Sequence, residues 1–292
     1  MIIFKVIISG ISMSFIFGLS FLFTKNALDY TSPMNFIAIR FSIASFFMLT
    51  LLSLKLIRFQ KKNYFKLLIV ALFQPILYFL FETSGLVFVP SSEAGILIAS
   101  IPIFITFLTP FVLKEKIKKI NFLFVFTSFF GVVIIIGFNS LKGNIKGDLL
   151  ILGAVFSAVF YNFTSRKFSK EFEPIEITSF MMFTGAIFFN ILAFLRKELD
   201  YTALTNTHVL ISAVYLGILS SSIAFFLVNY MLSKVSPAQS SIFANLTTVI
   251  SVFAGAIFRN EQISFNHIIG MILIILGVWG VNYYNYRFSK EK

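Results

Sequence analysis

Apolar runs of about 20 residues follow one another through almost the whole chain, parted only by short charged or Pro-, Asn- and Gly-bearing breaks. That length spans the hydrocarbon core of a bilayer, where no water satisfies the backbone and only helices or closed barrels survive. Composition agrees: 58% of residues are hydrophobic and 12% charged, against about 25% charged in a typical soluble domain. The sequence therefore predicts an all-α polytopic membrane protein. The breaks divide it into ten transmembrane helices, approximately 6–24, 34–54, 66–88, 91–113, 121–138, 148–165, 175–195, 208–232, 237–258 and 266–286. The first run is read as a span and not a cleaved signal peptide, because it is long and no small-residue cleavage site leads into a polar segment.

Two stretches of this chain repeat each other. Glu115-Lys116-Ile117 and Gly131-Val132 recur as Glu261-Gln262-Ile263 and Gly277-Val278, each position shifted by 146. A shift of half the chain marks two copies of one unit, residues 1–140 and 141–292. Five spans per copy is an odd number, so the second copy enters the membrane inverted. Lysine and arginine fix the orientation. With the N-terminus inside, cytoplasmic segments carry 17 of them, concentrated at 55–66, 114–119 and 166–170, and the outer loops carry 6. The bias places both termini in the cytoplasm. Inverted repeats give many secondary transporters two nearly equivalent states around a midplane site, and some channels carry them as well.

Several classes are excluded. Cysteine is absent, which removes disulfides, zinc–thiolate clusters and thiol nucleophiles. His208 and His267 sit near span ends without partners at metal-ligand spacing, so no metal is expected. There is no glycine-rich phosphate loop and no loop long enough for a nucleotide domain, so no cofactor is expected either. No catalytic constellation can be assembled, and the chain is not read as an enzyme. Net charge is +12, but the basic residues lie in short loops and form no basic helix, so nucleic acid is not an expected partner. The expected partners are a small-molecule substrate and the lipid bilayer. Oligomeric state stays open, with a homodimer among the options.

Two charges inside spans call for an explanation, because each costs roughly 2.5–3.5 kcal/mol to insert. Arg40 lies seven residues in from Pro33 and Glu82 sixteen beyond Lys66. At 1.5 Å per residue these are about 10 Å and about 24 Å along their helices, which puts both in the outer third of a core about 30 Å thick. An Arg40–Glu82 ion pair is geometrically open to them. One reading is structural: the pair neutralises itself and ties spans 2 and 3 together. The other is functional: Arg40 or Glu82 meets a charged group of the substrate, or Glu82 takes up a proton during the cycle.

Helical spacing supplies the remaining candidates. Gln74, Tyr78 and Glu82 fall at i, i+4 and i+8, on one face of span 3, beside Pro75. Span 8 carries Ser222 and Asn229, span 9 Ser241, Asn245 and Thr248, and span 6 Ser157, Tyr161 and Thr164. Small hydroxyl residues commonly serve as glue between membrane helices. The larger polar groups of Tyr78, Tyr161, Asn229 and Asn245 suit a cavity wall better than lipid. Pro102 and Pro110 are expected to kink span 4. Gly131 and Gly137 in span 5, and Gly270, Gly277 and Gly280 in span 10, read as close-packing faces. The candidate substrate-binding or coupling set is Arg40, Gln74, Tyr78, Glu82, Tyr161, Asn229, Ser241 and Asn245.

The chain resembles the ten-helix EamA-type members of the drug/metabolite transporter superfamily. The resemblance rests on Arg40 in span 2, Pro102 thirteen residues before Glu115, the Gly131-Val132 closing span 5, Ser236-Pro237-Ala238 opening span 9, and then Glu261 and Gly277-Val278. The chain departs from the pattern in carrying Glu82 and Glu93, and in having Thr248 where the first copy has Pro102. The resemblance implies a multi-pass carrier of the cytoplasmic membrane for small metabolites, often amino acids and commonly exported, working by alternating access. A channel or lipid-moving protein without a saturable metabolite site is the alternative.

Overall fold

The computed structural model describes residues 2–85, 88, 97–114, 117–136, 145–259 and 265–289. Glu93, Glu115, Glu261 and Gly137, singled out in the sequence, lie outside these residues. Among the described residues every regular element is helical, as apolar periodicity without strand-like alternation requires. The longer ones, in chain order, are α1 (Ile2–Leu28), α2 (Pro33–Ser53), α3 (Tyr64–Gly85), α4 (Ile101–Val112), α5 (Lys119–Ile136), α6 (Ile145–Phe168), α7 (Pro174–Leu195), α8 (Thr207–Lys234), α9 (Phe243–Arg259) and α10 (Phe265–Ser289), with short helices at Tyr201–Thr205 and Pro237–Ser241. Seven of these described helices, α1, α2, α3, α6, α7, α8 and α10, are long and apolar enough to cross a membrane. Residues 101–112 and 119–134 form shorter apolar helices.

Local chemistry sets the helix ends. Ser32 caps α2 by accepting from the Asn35 amide, with Pro33 in the first turn, and Ser236 caps Pro237–Ser241 in the same way ahead of α9. Proline is tolerated there because a first-turn N–H has no intrahelical acceptor to lose. At the other ends, Lys55 and Lys197 adopt positive φ of 58°. The amides of Leu56 and Glu198 then reach back to the carbonyls of Leu51 and Ala193. Each helix thus closes on a left-handed residue, and the lysine charge complements the C-terminal dipole. Pro102 falls in the first turn of α4 and not mid-helix. The expected kink at Pro102 is therefore a helix start, while Pro110 lies inside α4.

Two helices are not regular α throughout. Leu72–Leu77 in α3 and Tyr215–Ala224 in α8 are π-helical, and Gln74 leaves helical geometry altogether, with φ −148° and ψ 120°. Single π turns recur at functional sites, and both of these lie beside the cavity described below.

Packing is by pairs. α1 lies against α8 and α9, α3 against α6, α2 against α7, and α5 against α10. Small residues make the closest approaches. A Cβ on Gly131 would sit 2.6 Å from the Gly270 carbonyl oxygen, and one on Gly277 2.5 Å from Ser128 Cβ. The α5–α10 contact is thus nearly backbone to backbone. Gly277→Ala must force these helices apart, at a cost of about 1–3 kcal/mol. The expected outcome is a lower unfolding midpoint in detergent, measured by circular dichroism, with α-helical content retained.

Candidate functional site

A cavity of about 330 Å³ lies among α1, α2, α3, α4, α6, α8 and α9. Its lining along α1 runs from Met13 to Leu28, about 22 Å at the helical rise. It ends at Leu28 and Pro33, which are exposed at the α1–α2 connection. Its walls are mostly aromatic and aliphatic, Phe17, Phe36, Phe79 and Phe225 among them, with a few polar groups set into them.

Arg40 is the strongest of these groups. It is buried, and three neighbours compensate its desolvation. Its Nε donates to Ser221 Oγ at 2.8 Å and its Nη2 to Ser220 Oγ at 3.1 Å, and its guanidinium carbon stands 4.8 Å from the centroid of Phe79. Hydrogen bonds to a charged donor are stronger than neutral ones, and a desolvated cation over an aromatic face adds more. Glu82 lines the same cavity and accepts from the Tyr78 hydroxyl at 3.4 Å. The Arg40–Glu82 ion pair that depth along the helices left open does not form here. Among the described residues the ion pairs are Lys62–Glu176 and Lys66–Glu171. The two groups therefore line one enclosed space and interact across it without a direct ion pair.

The face drawn through Gln74, Tyr78 and Glu82 reaches the cavity at all three positions. Tyr161 and Ser241 also line it. Asn229 and Asn245 do not. Asn229 is fully buried between α6, α7 and α8. Its Oδ1 accepts from Tyr161 Oη at 2.9 Å and Ser165 Oγ at 2.6 Å, and its Nδ2 donates to Thr178 Oγ1 at 2.9 Å. Asn245 donates to Ser128 Oγ at 3.1 Å and so joins α9 to α5. Along Pro237–Ser241 and α9 the cavity is lined by Ser240, Ser241, Ala244 and Thr247, so Ser241 of the expected stripe reaches it while Asn245 and Thr248 give way to the residues just before them. Ser220, which also lines the cavity, and Ser221 were not anticipated from spacing. Ser222, which was, instead bonds back to the Gly217 carbonyl at 3.0 Å.

At the opposite end of the bundle, polar contacts join the α2–α3 connection to α7. Glu176, at the start of α7, is 1% exposed and accepts from Lys62 Nζ at 2.8 Å, Tyr64 Oη at 2.6 Å and the Glu173 amide at 2.8 Å. Beside it Lys66 pairs with Glu171. Lys62, Tyr64 and Lys66 come from the α2–α3 connection and the start of α3, so these contacts tie that side to α7 and the turn before it.

A multi-span helical bundle with a mostly apolar cavity lined by an arginine and a glutamate that form no ion pair has the make-up of a membrane transporter. Comparison places it within one family. The EamA-like transporter family matches residues 4–137 and 145–283, and the chain belongs to that family. It is 36% identical over 287 residues to the uncharacterized transporter YcxC of Bacillus subtilis, covering 94% of this chain and 92% of that one. It is 27% identical over 278 residues to an uncharacterized transporter of Archaeoglobus fulgidus, covering 94% and 97%. A crystal structure at 16% identity superposes with a TM-score of 0.83 over 96% of this chain and 98% of the other, which shows the shared fold. The protein is a multi-pass transporter of the plasma membrane.

The network around Asn229 yields a graded expectation. Tyr161→Phe removes one hydrogen bond and should cost about 1 kcal/mol. Asn229→Ala leaves the Tyr161 and Ser165 hydroxyls without their acceptor, while Thr178 keeps its bond to the Pro174 carbonyl, and should cost roughly 2–6 kcal/mol, taking about 1–3 kcal/mol for each unsatisfied group as the guide. Unfolding midpoints of the two variants in one detergent should fall in that order.

Proposed function

We propose that the protein is a secondary carrier of small amphipathic metabolites, amino acids or close relatives, and that it exports them across the cytoplasmic membrane by alternating access. The observation that carries this reading is the cavity in which Arg40 and Glu82 stand unpaired. Two opposite charges held apart inside hydrocarbon are costly, and a ligand bearing both signs offsets that cost when it enters. The aromatic wall supplies apolar contact for the rest of such a ligand.

The carrier is read as ten transmembrane helices arranged as two inverted five-helix repeats, 1–140 and 141–292, with both termini cytoplasmic. Three observations support this reading. The family matches the chain over two stretches of similar length. The π-helical segments of α3 and α8 fall at corresponding places, since Leu72 shifted by 146 is 218, inside Tyr215–Ala224. The packing has the same symmetry, α3 on α6 being matched by α8 on α1. With this orientation the cavity opens outward at Leu28 and Pro33, and the Lys62–Glu176 contacts seal the cytoplasmic side. Alternation then requires the seal to open as the outer end closes.

The test is uptake of radiolabelled amino acids into proteoliposomes by the wild type and Glu82→Gln. Saturable flux in the wild type, reduced at least about tenfold in the inserted variant, is the expected result, tenfold being the loss of about 1.4 kcal/mol of binding. Equal flux in both proteins would remove Glu82 from the working site. Flux that does not saturate would favour a channel.

A further inference from the structure

We infer that Ser220 and Ser221, on the π-helical segment of α8, are positioning residues that hold Arg40 so that its free guanidinium edge receives the carboxylate of the cargo. The inference deepens the transport reading of the same cavity.

A guanidinium has two edges that can engage a planar anion through paired N–H groups. One edge presents Nε and Nη2, the other Nη1 and Nη2. In this structure the serines take the first. Nε donates to Ser221 and Nη2 to Ser220. The second edge has no acceptor among the described residues, and Arg40 lines the cavity. The nearest anionic candidate, Glu82, forms no ion pair with it.

The backbone explains why neighbouring serines can share one guanidinium. In an α-helix consecutive side chains diverge by about 100°. The wider π turn narrows that angle. Gly217 brings α8 close enough, since a Cβ there would lie 3.0 Å from the Arg40 carbonyl oxygen and 2.8 Å from Ile43 Cγ2. The serines are themselves fixed. Ser221 is fully buried, and Ser220 Oγ lies 3.0 Å from Ser20 Oγ on α1, which in turn donates to the Ile16 carbonyl at 2.9 Å. Phe79 restricts the guanidinium from a further side. The fork is thus oriented before a ligand arrives, and a carboxylate meets two parallel donors at little ordering cost.

The ligand pair that tests this is L-phenylalanine and L-phenylalaninamide. The two share shape and ammonium, and the second lacks the carboxylate. Binding to the detergent-solubilised full-length protein is measured by titration calorimetry. The wild type should prefer the acid by about tenfold or more, the scale of a charge-assisted bidentate contact. Ser220→Ala/Ser221→Ala should lose most of that preference with the helical circular dichroism spectrum retained, its unfolding midpoint falling because two hydroxyls that compensate the buried guanidinium are gone. Arg40→Lys, a point charge without the fork, should lose it too. An unchanged acid-over-amide ratio in the serine variant, or no preference for the acid in the wild type, overturns the inference. Selective binding with no flux of L-phenylalanine in proteoliposomes would overturn the transport reading and leave this inference standing.

Discussion

A guanidinium inside hydrocarbon constrains everything packed around it. Arg40 cannot lose its charge cheaply and cannot reach the membrane surface from its place on α2. The structure answers with two hydroxyls from α8 and an aromatic face from α3. Each of these needs its own arrangement: Gly217 so that α8 can approach α2, and the π-helical segment that carries Ser220 and Ser221, both bonded to Arg40. Because the anion that could have paired with Arg40 is held to one side by Tyr78, the charge is compensated without being consumed. An enclosed space with a live cation is the result.

The two ends of the bundle differ in a way that suits one-sided access. At the α1–α2 end the cavity reaches exposed residues. At the other end a buried carboxylate, Glu176, gathers four donors, and the Asn229 network knits α6, α7 and α8 together beside Tyr161. Both closures are polar and hydrogen-bonded. Such contacts are directional, and they can be exchanged for others in a second packing more readily than an interdigitated apolar core can.

Much of this was legible in the sequence, and what was not has a physical cause. Seven long apolar helices followed from the length of the apolar runs, while the run expected at 91–113 is a helix over Ile101–Val112, and Arg40, Gln74, Tyr78, Glu82 and Tyr161 stood out because large polar groups are costly in lipid. All five line the cavity. The misplacements cluster where the helices depart from 3.6-residue periodicity or where periodicity leaves the rotation undetermined. On α8 the π-helical segment moves Ser220 and Ser221 into reach of Arg40 and sends Ser222 back to its own backbone. Around α9 Ser241 reaches the cavity, but Ala244 and Thr247 do so in place of Asn245 and Thr248, because spacing alone does not say which face a helix turns inward. Asn229 was chosen as too polar for a tight interface, yet three hydroxyl partners satisfy it inside one. The Arg40–Glu82 pair was reachable by depth. Depth along a helix does not specify how side chains meet across a cavity.

The absence of cysteine from this chain makes the central claim, a cavity open to one side at a time, directly measurable. Thr24 lines the cavity near its mouth. A single Thr24→Cys variant would be treated with a membrane-impermeant maleimide in right-side-out and inside-out vesicles. Labelling from the side bearing the α1–α2 connection and not from the other is the expected result. Equal labelling from both sides would mean an open pore and would contradict the carrier reading; no labelling from either side would contradict the accessible cavity itself.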